Sequence, residues 1–550
     1  MTQPRGFDLW KLILVGAWVI VALLLIYPLF SVFRASLIDG EHGNLTLANY
    51  AAVLSDPIYR RVIGNTLFVG AGGMIGALLL GVTLAVLTTR FRIHGRALVG
   101  TLAVIALISP PFIGAYAWII LFGANGAVRR FMIDLGVNMP PIYGTTGVVL
   151  VFAFKFFPHV YLITSGALAN MNRSLEEAAE SLGATPTARF FKVTLPMALP
   201  AISASALLTF VLSISDFGTP RMIGRDLDVL ATEAFTLFAA ELGGNPGMAS
   251  TVSLVLVFIS MMVVLLQRHV SRRNVYHGTM IARIAARRLA GWRNLLVHGL
   301  AYLIVAIGAL PAALVAFYSF RRTSGPIFTP GFALQSYERV LYTLPDVIWN
   351  TLRFSFAALA AIVIIGTLIG ALVARRRSAA VSLLDGTLMI PYVIPGIVMG
   401  IAFIATFNGP PLALTGTWIV IVLAVFIRRL PYAVRAAAAA LKQVSPSLEE
   451  ASISLGYSPA RTFMKVTVPL ILPGILAGGM LSFVTAMNEL SSSLVLYVGS
   501  TMTMPVKIYL SVLDGEYGTA SALSTILIAI TAAAVYAALR VSGNEARSLV

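Results

Sequence analysis

Ser174-Leu-Glu-Glu-Ala-Ala-Glu-Ser-Leu-Gly183 returns as Ser447-Leu-Glu-Glu-Ala-Ser-Ile-Ser-Leu-Gly456 in the second half of the chain. That is too long a match to be chance, and it makes the chain an internal repeat. The same offset relates Pro158 to Pro431, Lys192 to Lys465, Pro196 to Pro469, Pro200 to Pro473 and Phe210 to Phe483. Upstream, Asn65-Thr-Leu67 matches Asn350-Thr-Leu352 and Arg90 matches Arg375, at an offset longer by twelve. The first copy therefore carries twelve extra residues, which we place in an outer loop around Asn125 to Pro141.

The surroundings of the repeat are those of a membrane protein. Of 550 residues, 58% are hydrophobic and only 11% charged, with a mean hydropathy of +0.89. The apolar residues fall in runs of about 20, the length a helix needs to cross a hydrocarbon core. Twelve candidate spans result: 11–33, 62–88, 97–122, 145–168, 198–216, 247–267, 295–319, 349–373, 383–407, 416–440, 471–490 and 518–539. The expected fold class is thus an all-α polytopic membrane protein. The first run follows Arg5 and Lys11 like a secretory signal, but it is long for one and no small-residue cleavage site follows, so it is read as the first span. Basic loops should lie in the cytoplasm. Arg90, Arg92 and Arg96 follow the second run, seven arginines from Arg268 to Arg293 follow the sixth, and Arg375, Arg376 and Arg377 follow the eighth. Both termini are then cytoplasmic. The net charge of +17 is mostly topology, so nucleic acid is not an expected partner. Cysteine is absent, which excludes disulfides, thiolate metal sites and cysteine nucleophiles.

Six spans separate equivalent positions, so the two halves share one orientation, related by an axis along the membrane normal. We expect a first half at 1–267, a basic linker at 268–293 resting on anionic headgroups, and a second half at 294–550. In each repeated segment, Ser174 with Glu177 and Ser447 with Glu450 form an S-x-x-E pattern, read as a capping box. Gly183 and Gly456 supply helix stops. Thr185-Pro186 and Ser458-Pro459 start a second helix, which Pro196 and Pro469 should end. Ala178, Ala179 and Ala451 give the short helix a slim surface. One copy alone would read as an interfacial helix; two at matched topology point to a docking element.

Glu177-Ala178-Ala179, Gly183 and Val193-x-Leu195-Pro196 resemble the E-A-A-x-x-x-G…I-x-L-P signature of permease subunits of binding-protein-dependent ABC importers, the MetI-like family. Glu450-Ala451-Ser452, Gly456 and Val466-x-Val468-Pro469 carry the same signature with Ser452 and Val468 as departures. The chain resembles two such permeases fused. The resemblance implies that each short helix is a coupling helix seated in a separate ABC ATPase subunit, most simply a homodimer. It also implies a periplasmic solute-binding protein as partner, membrane lipid around the chain, and an inner-membrane location. No G-x-x-x-x-G-K-[ST] loop is present, so ATP belongs to the partner; no cofactor and no catalytic residue are assigned to this chain.

Asp216 and Glu489, equivalent at the outer ends of the fifth runs, are possible pathway residues facing a water-filled cavity, or else they sit in the headgroup region. Asn65 and Asn350 could hydrogen-bond between helices, whereas Pro110-Pro111, Pro391 and Pro395 interrupt the third spans as kinks or gates. Gly72-x-x-x-Gly76, Gly366-x-x-x-Gly370 and Gly396-x-x-x-Gly400 allow close helix packing. The six histidines show no metal-ligand spacing and no metal is expected. A secondary transporter would need charged coupling residues at mid-membrane, few of which are evident. The fused halves and the stretches Asp216-Phe-Gly-Thr-Pro220 and Asn488-Glu-Leu-Ser491 are most similar to ferric-iron permeases, with organic phosphates or phosphonates, sugar phosphates or thiamine as alternative cargo.

Overall fold

The computed structural model describes residues 9–38, 44–171, 173–240, 244–273 and 286–541. Much of the expected linker, with His277 and Arg283, lies outside them, as do Arg5, His42 and Glu241. Among the described residues, nine helices are long and apolar enough to cross a membrane, or ten if the bent pair Ala379–Val393 and Gly396–Phe407 is one span. The expected twelve are not all reached, and both shortfalls have a physical cause. The run at 97–122 is cut into Arg96–Ile108 and Pro111–Phe122, because consecutive prolines remove amide donors and hold Ser109 and Pro110 extended. Trp418–Gln443 has the length, but Arg428, Arg429 and Arg435 interrupt its apolar face.

The second break matches the first. Pro395, the counterpart of Pro110 at the longer of the two offsets, is likewise extended, and the chain turns by 108° there. Pro391, by contrast, sits within the short helix Ile390–Val393.

Pro196 and Pro469 do not end the helices before them. The helices run on unbroken over Pro186–Ile214 and Pro459–Met487. Five-residue π segments, Phe190–Thr194 and Phe463–Thr467, precede the prolines. There Leu195 N–H reaches back to Phe190 O and Val468 N–H to Phe463 O, one residue further than in an α-helix. This shift lets the chain pass a residue that has no donor. The first span uses the same device, with a π segment at Ala22–Ile26 just before Pro28.

Pro57–Arg90 packs along Thr145–Ala169, and Pro345–Arg375 along Trp418–Gln443. Glycine sets the approach. A Cβ at Gly76 would stand 2.6 Å from Ala153 Cβ, one at Gly366 2.6 Å from Ala433 Cβ, and one at Gly370 2.8 Å from Ala437 Cβ. At Gly400 the intruder would be Val495 Cβ, 2.7 Å away. The small-residue pairs are therefore packing devices.

The halves exchange their first spans. Tyr27–Ser36 lies on Gly396–Phe407 of the second half, and Gly291–Ser319 lies on Arg96–Ile108 and Pro111–Phe122 of the first. Tyr116 Oη donates to Tyr517 O at 2.8 Å, tying the first half to the last span. One feature departs from the all-α expectation: Arg321–Ser324 pairs antiparallel with Ile327–Phe332 around a Gly325-Pro326 turn. The twelve extra residues bring a short helix, Ala127–Asp134, into the expected loop.

Candidate functional site

Two elbows stand at one end of the molecule. Their short helices are Arg173–Ser181 and Pro446–Ser454. Ser174 and Ser447 are each the second residue of their helix, so neither is its N-cap. In the second copy the cap is Ser445, whose Oγ accepts from Ser447 N–H at 3.4 Å. Pro446 is the reason: its fixed φ suits the first helical position and draws the start upstream. The stops are as expected. Gly183 and Gly456 have φ of 80° and 91°, a region costly for any residue with a Cβ. Thr185 Oγ1 and Ser458 Oγ then accept from Ala188 N–H and Arg461 N–H, capping the next helix.

Glu177, Ala178, Glu450 and Ala451 are exposed, and Ala179 is half-buried. At the tips Leu182 is 89% exposed and Leu455 82%. Leu175 and Leu448, and Phe191 and Met464, are also exposed at matched positions. Each elbow thus offers a small apolar face rimmed by charge. The inward side is held by residues that sequence reasoning passed over. Arg90 Nη2 lies 2.6 Å from Glu176 Oε1, and Thr194 Oγ1 donates to the same oxygen at 2.6 Å. In the second elbow Arg375 Nη2 reaches Glu449 Oε1 at 3.1 Å, and Thr467 Oγ1 donates to it at 3.1 Å. Each anchor ties the elbow both to the end of the second span and to the π segment. The signal was available: Glu176 and Glu449 fall inside the repeat, one residue before the glutamates of the motif.

Ser452, the departure at the third motif position, is buried and shares a hydrogen bond of 2.9 Å with Thr462 Oγ1. The first elbow has Ala179 there, and Arg189, the counterpart of Thr462, pairs with Glu180 at 2.5 Å.

Asp216 and Glu489 each follow the long fifth helix and precede a short one, Gly218–Ile223 or Ser491–Leu496. Asp216 Oδ1 accepts from Thr219 N–H at 2.9 Å, and Glu489 Oε1 from Ser492 N–H at 3.1 Å and Oγ at 3.0 Å. Both carboxylates have cationic partners, which neither expected setting supplies. Lys155, midway along Thr145–Ala169, bonds Asp216 and also Thr219 Oγ1 at 3.1 Å. Arg428 Nη1 and Arg429 Nη2, midway along Trp418–Gln443, reach Glu489 Oε2 at 2.6 and 2.5 Å. Lys155 and Arg428 are equivalent at the offset that relates the two motifs. Sequence reasoning passed over these midspan charges because they lie within runs that are otherwise apolar.

The broken third spans meet these clusters. Ser109 and Pro110 line a small cavity with Lys155, closed by Gly308 and Pro311 of the exchanged span. A Cβ at Gly396 would come within 2.9 Å of Arg428 Nη1 and 3.1 Å of Glu489 Oε1. Asn65 Nδ2 donates to Asp228 O at 3.1 Å, and Asn350 Nδ2 to Ser500 O and Met502 O at 3.0 and 3.1 Å. They pin the segment after the short helix, not a neighbouring span. His94 and His298 meet at 3.3 Å, but no group of three or more potential metal ligands occurs among the described residues.

Two membrane halves with exchanged first spans, matched broken helices and an elbow each at one end define a polytopic membrane permease. The family model of the binding-protein-dependent transport system inner membrane component matches residues 77–276 and 366–541, and the chain belongs to that family. It is 29% identical over 542 residues to the ferric transport system permease protein FbpB of Actinobacillus pleuropneumoniae, covering 95% of this chain and 77% of that one. It is 26% identical to the Fe(3+)-transport system permease protein FbpB 2 of Haemophilus influenzae, covering 97% and 98%. The molybdenum transport system permease protein ModB of Mycobacterium bovis matches only 39% of this chain, at 27% identity over 80% of its own length.

Proposed function

We propose that this chain is the transmembrane permease subunit of an ATP-driven importer, moving ferric iron inward from a periplasmic binding protein. The halves at 1–267 and 294–550, joined by the linker at 268–293, act as a fused pair. Both termini and both elbows face the cytoplasm, where a homodimeric ATPase receives one elbow in each subunit. Glu177, Ala178, Ala179 and Gly183, with Glu450, Ala451, Ser452 and Gly456, form the docking faces. The observation that carries this reading is the duplicated elbow: an exposed apolar tip on a helix whose back is bolted by Glu176 or Glu449 to the second span. A push on the tip is transmitted through that bolt. Iron as cargo follows the two ferric transport permeases to which nearly the whole chain is similar. Asp216 and Glu489 stand beside the pathway as carboxylates already neutralised, so they steady the gate rather than ligate the cargo.

Gly183→Pro and Gly456→Pro test the coupling role. Proline cannot adopt a φ near +80°, so the stop and the bend after it are lost while the spans are untouched. In lipid, with the ATPase and a loaded binding protein, we expect stimulated ATP hydrolysis and solute uptake to fall apart from each other. Normal transport by both variants would overturn the assignment. Binding proteins loaded with ferric iron, a phosphonate, a sugar phosphate or thiamine separate the cargoes by which one stimulates hydrolysis.

A further inference from the structure

At the elbow end of the first half, the bend after the second span forms a cleft that the transport reading does not use. It has a volume of about 490 Å³ and its lining includes Arg92, Arg96 and Arg288, with Phe91, Ile93 and Leu289 beside them. No lining residue is acidic, and the sequence has no Asp or Glu between Glu241 and Glu338. The three guanidinium groups therefore share the cleft without a carboxylate among them.

The cleft is built, although its arginines are exposed. Arg287 N–H donates to Arg90 O at 2.8 Å and Arg92 N–H to Arg287 O at 3.0 Å, so the bend and the last part of the linker form one short parallel bridge. His94 N–H donates to His298 Nε2 at 3.0 Å, and Tyr302 Oη donates to His94 O at 2.7 Å. Four backbone groups at this bend are thus fixed by the end of the linker and by the second half. Holding like charges together in this way has a cost that an anion would remove.

We propose that this cleft binds the phosphate headgroup of an anionic phospholipid. The lining separates a lipid from a soluble phosphate: arginine supplies planar donors for the phosphate oxygens, and Phe91, Ile93 and Leu289 supply apolar surface for the first part of an acyl chain. Basic pockets at the cytoplasmic ends of transmembrane helices are suited to such headgroups. In the second half the corresponding corner is built differently. There Arg376, the counterpart of Phe91, lies 5.8 Å over the ring of Trp10, and the indole takes the corner. The bound lipid acts one residue from Arg90, which bolts the first elbow, so it steadies that elbow and the joint between halves together. The proposal rests on the importer reading only in placing the cleft on the ATPase side.

Retention of lipid by the full chain tests it without the ATPase. The purified chain, stripped in mild detergent, is given phosphatidylglycerol or phosphatidylcholine of the same chain length, and bound lipid is counted by native mass spectrometry. Phosphatidylglycerol should be retained over phosphatidylcholine. Replacing Arg92, Arg96 and Arg288 together by Ala should weaken it on the order of 100-fold. Replacing Arg60, Arg61 and Arg322 by Ala should not, since Arg60 and Arg61 lie at the opposite end of the second span. For the unaltered chain, retention should fall as salt rises, which acyl-chain contact alone would not produce. Equal retention of the two lipids, no loss in the triple variant, or insensitivity to salt overturns the proposal. Displacement by millimolar inorganic phosphate would also overturn it, reassigning the cleft to a soluble anion.

Discussion

The two buried charge clusters occupy the same place in the two halves and do the same local job, yet their charges do not balance alike. Asp216 faces one cation, Lys155, whereas Glu489 faces two, Arg428 and Arg429. The extra arginine stands where the first half has Phe156, whose ring lies 5.1 Å from Lys155 Nζ. A ring face and a second guanidinium are alternative neighbours for a buried cation, one attracting it and one repelling it. What both halves keep is the carboxylate that caps the short helix after the break. Capping is therefore the shared structural requirement, and the charge surplus is particular to the second half.

Removing the carboxylates should separate these roles, with the largest effect at Glu489. Glu489→Ala leaves two arginines and a helix start without their anion, and should cost about 3–5 kcal/mol. Asp216→Ala leaves a lysine that still has Thr219 Oγ1 as acceptor, and should cost less. Apparent unfolding midpoints of the purified chain in one detergent measure both. Equal losses would mean that capping, not charge surplus, dominates at both places. The next effect comes from packing. Gly366→Val and Gly76→Val each force carbon into a gap closed by an alanine Cβ at 2.6 Å, costing about 1–3 kcal/mol. The two should agree; a tolerant Gly76 would show that the first half is the looser of the pair.

The repeat made the architecture readable before any coordinates, because an offset retained across proline, glycine and charge says that two segments meet the same constraints. The twelve expected spans stand against nine or ten helices long and apolar enough to cross among the described residues. Hydropathy registers length and composition, and it cannot tell that Pro110 and Pro395 split a run or that a π segment carries a helix past Pro196. The elbows were legible through their glycine stops and second caps. Their anchors were less so, since Glu176 becomes distinct from Glu177 only when the helix start is known: one turns inward to Arg90, the other outward. The partners of Asp216 and Glu489 lie 61 and 60 residues upstream, and only the folded fourth spans bring them close.

The elbows supply the finest form of the comparison. The alanine at the motif's third position is kept as Ala179 and replaced by Ser452, and the structure shows that the replacement is not isolated. Ser452 bonds Thr462, which stands where the first elbow has Arg189; Arg189 in turn pairs with Glu180, where the second elbow has Ile453. A buried hydroxyl pair and an exposed ion pair thus close the same bend. Ser452→Ala leaves the Thr462 hydroxyl buried without its partner, and should cost about 1 kcal/mol. Adding Ile453→Glu and Thr462→Arg rebuilds the first elbow's solution. Because an exposed ion pair contributes only about 0.2–1 kcal/mol, the triple variant should return close to the original stability rather than exceed it. Hydrogen exchange of the amides in 446–462 reads this locally, where a change in global unfolding would be too small to see. Faster exchange in the single variant, restored in the triple, makes the two closures interchangeable. Exchange that stays fast in the triple would mean that Ser452 is fitted to its own half, and that the two elbows are unequal.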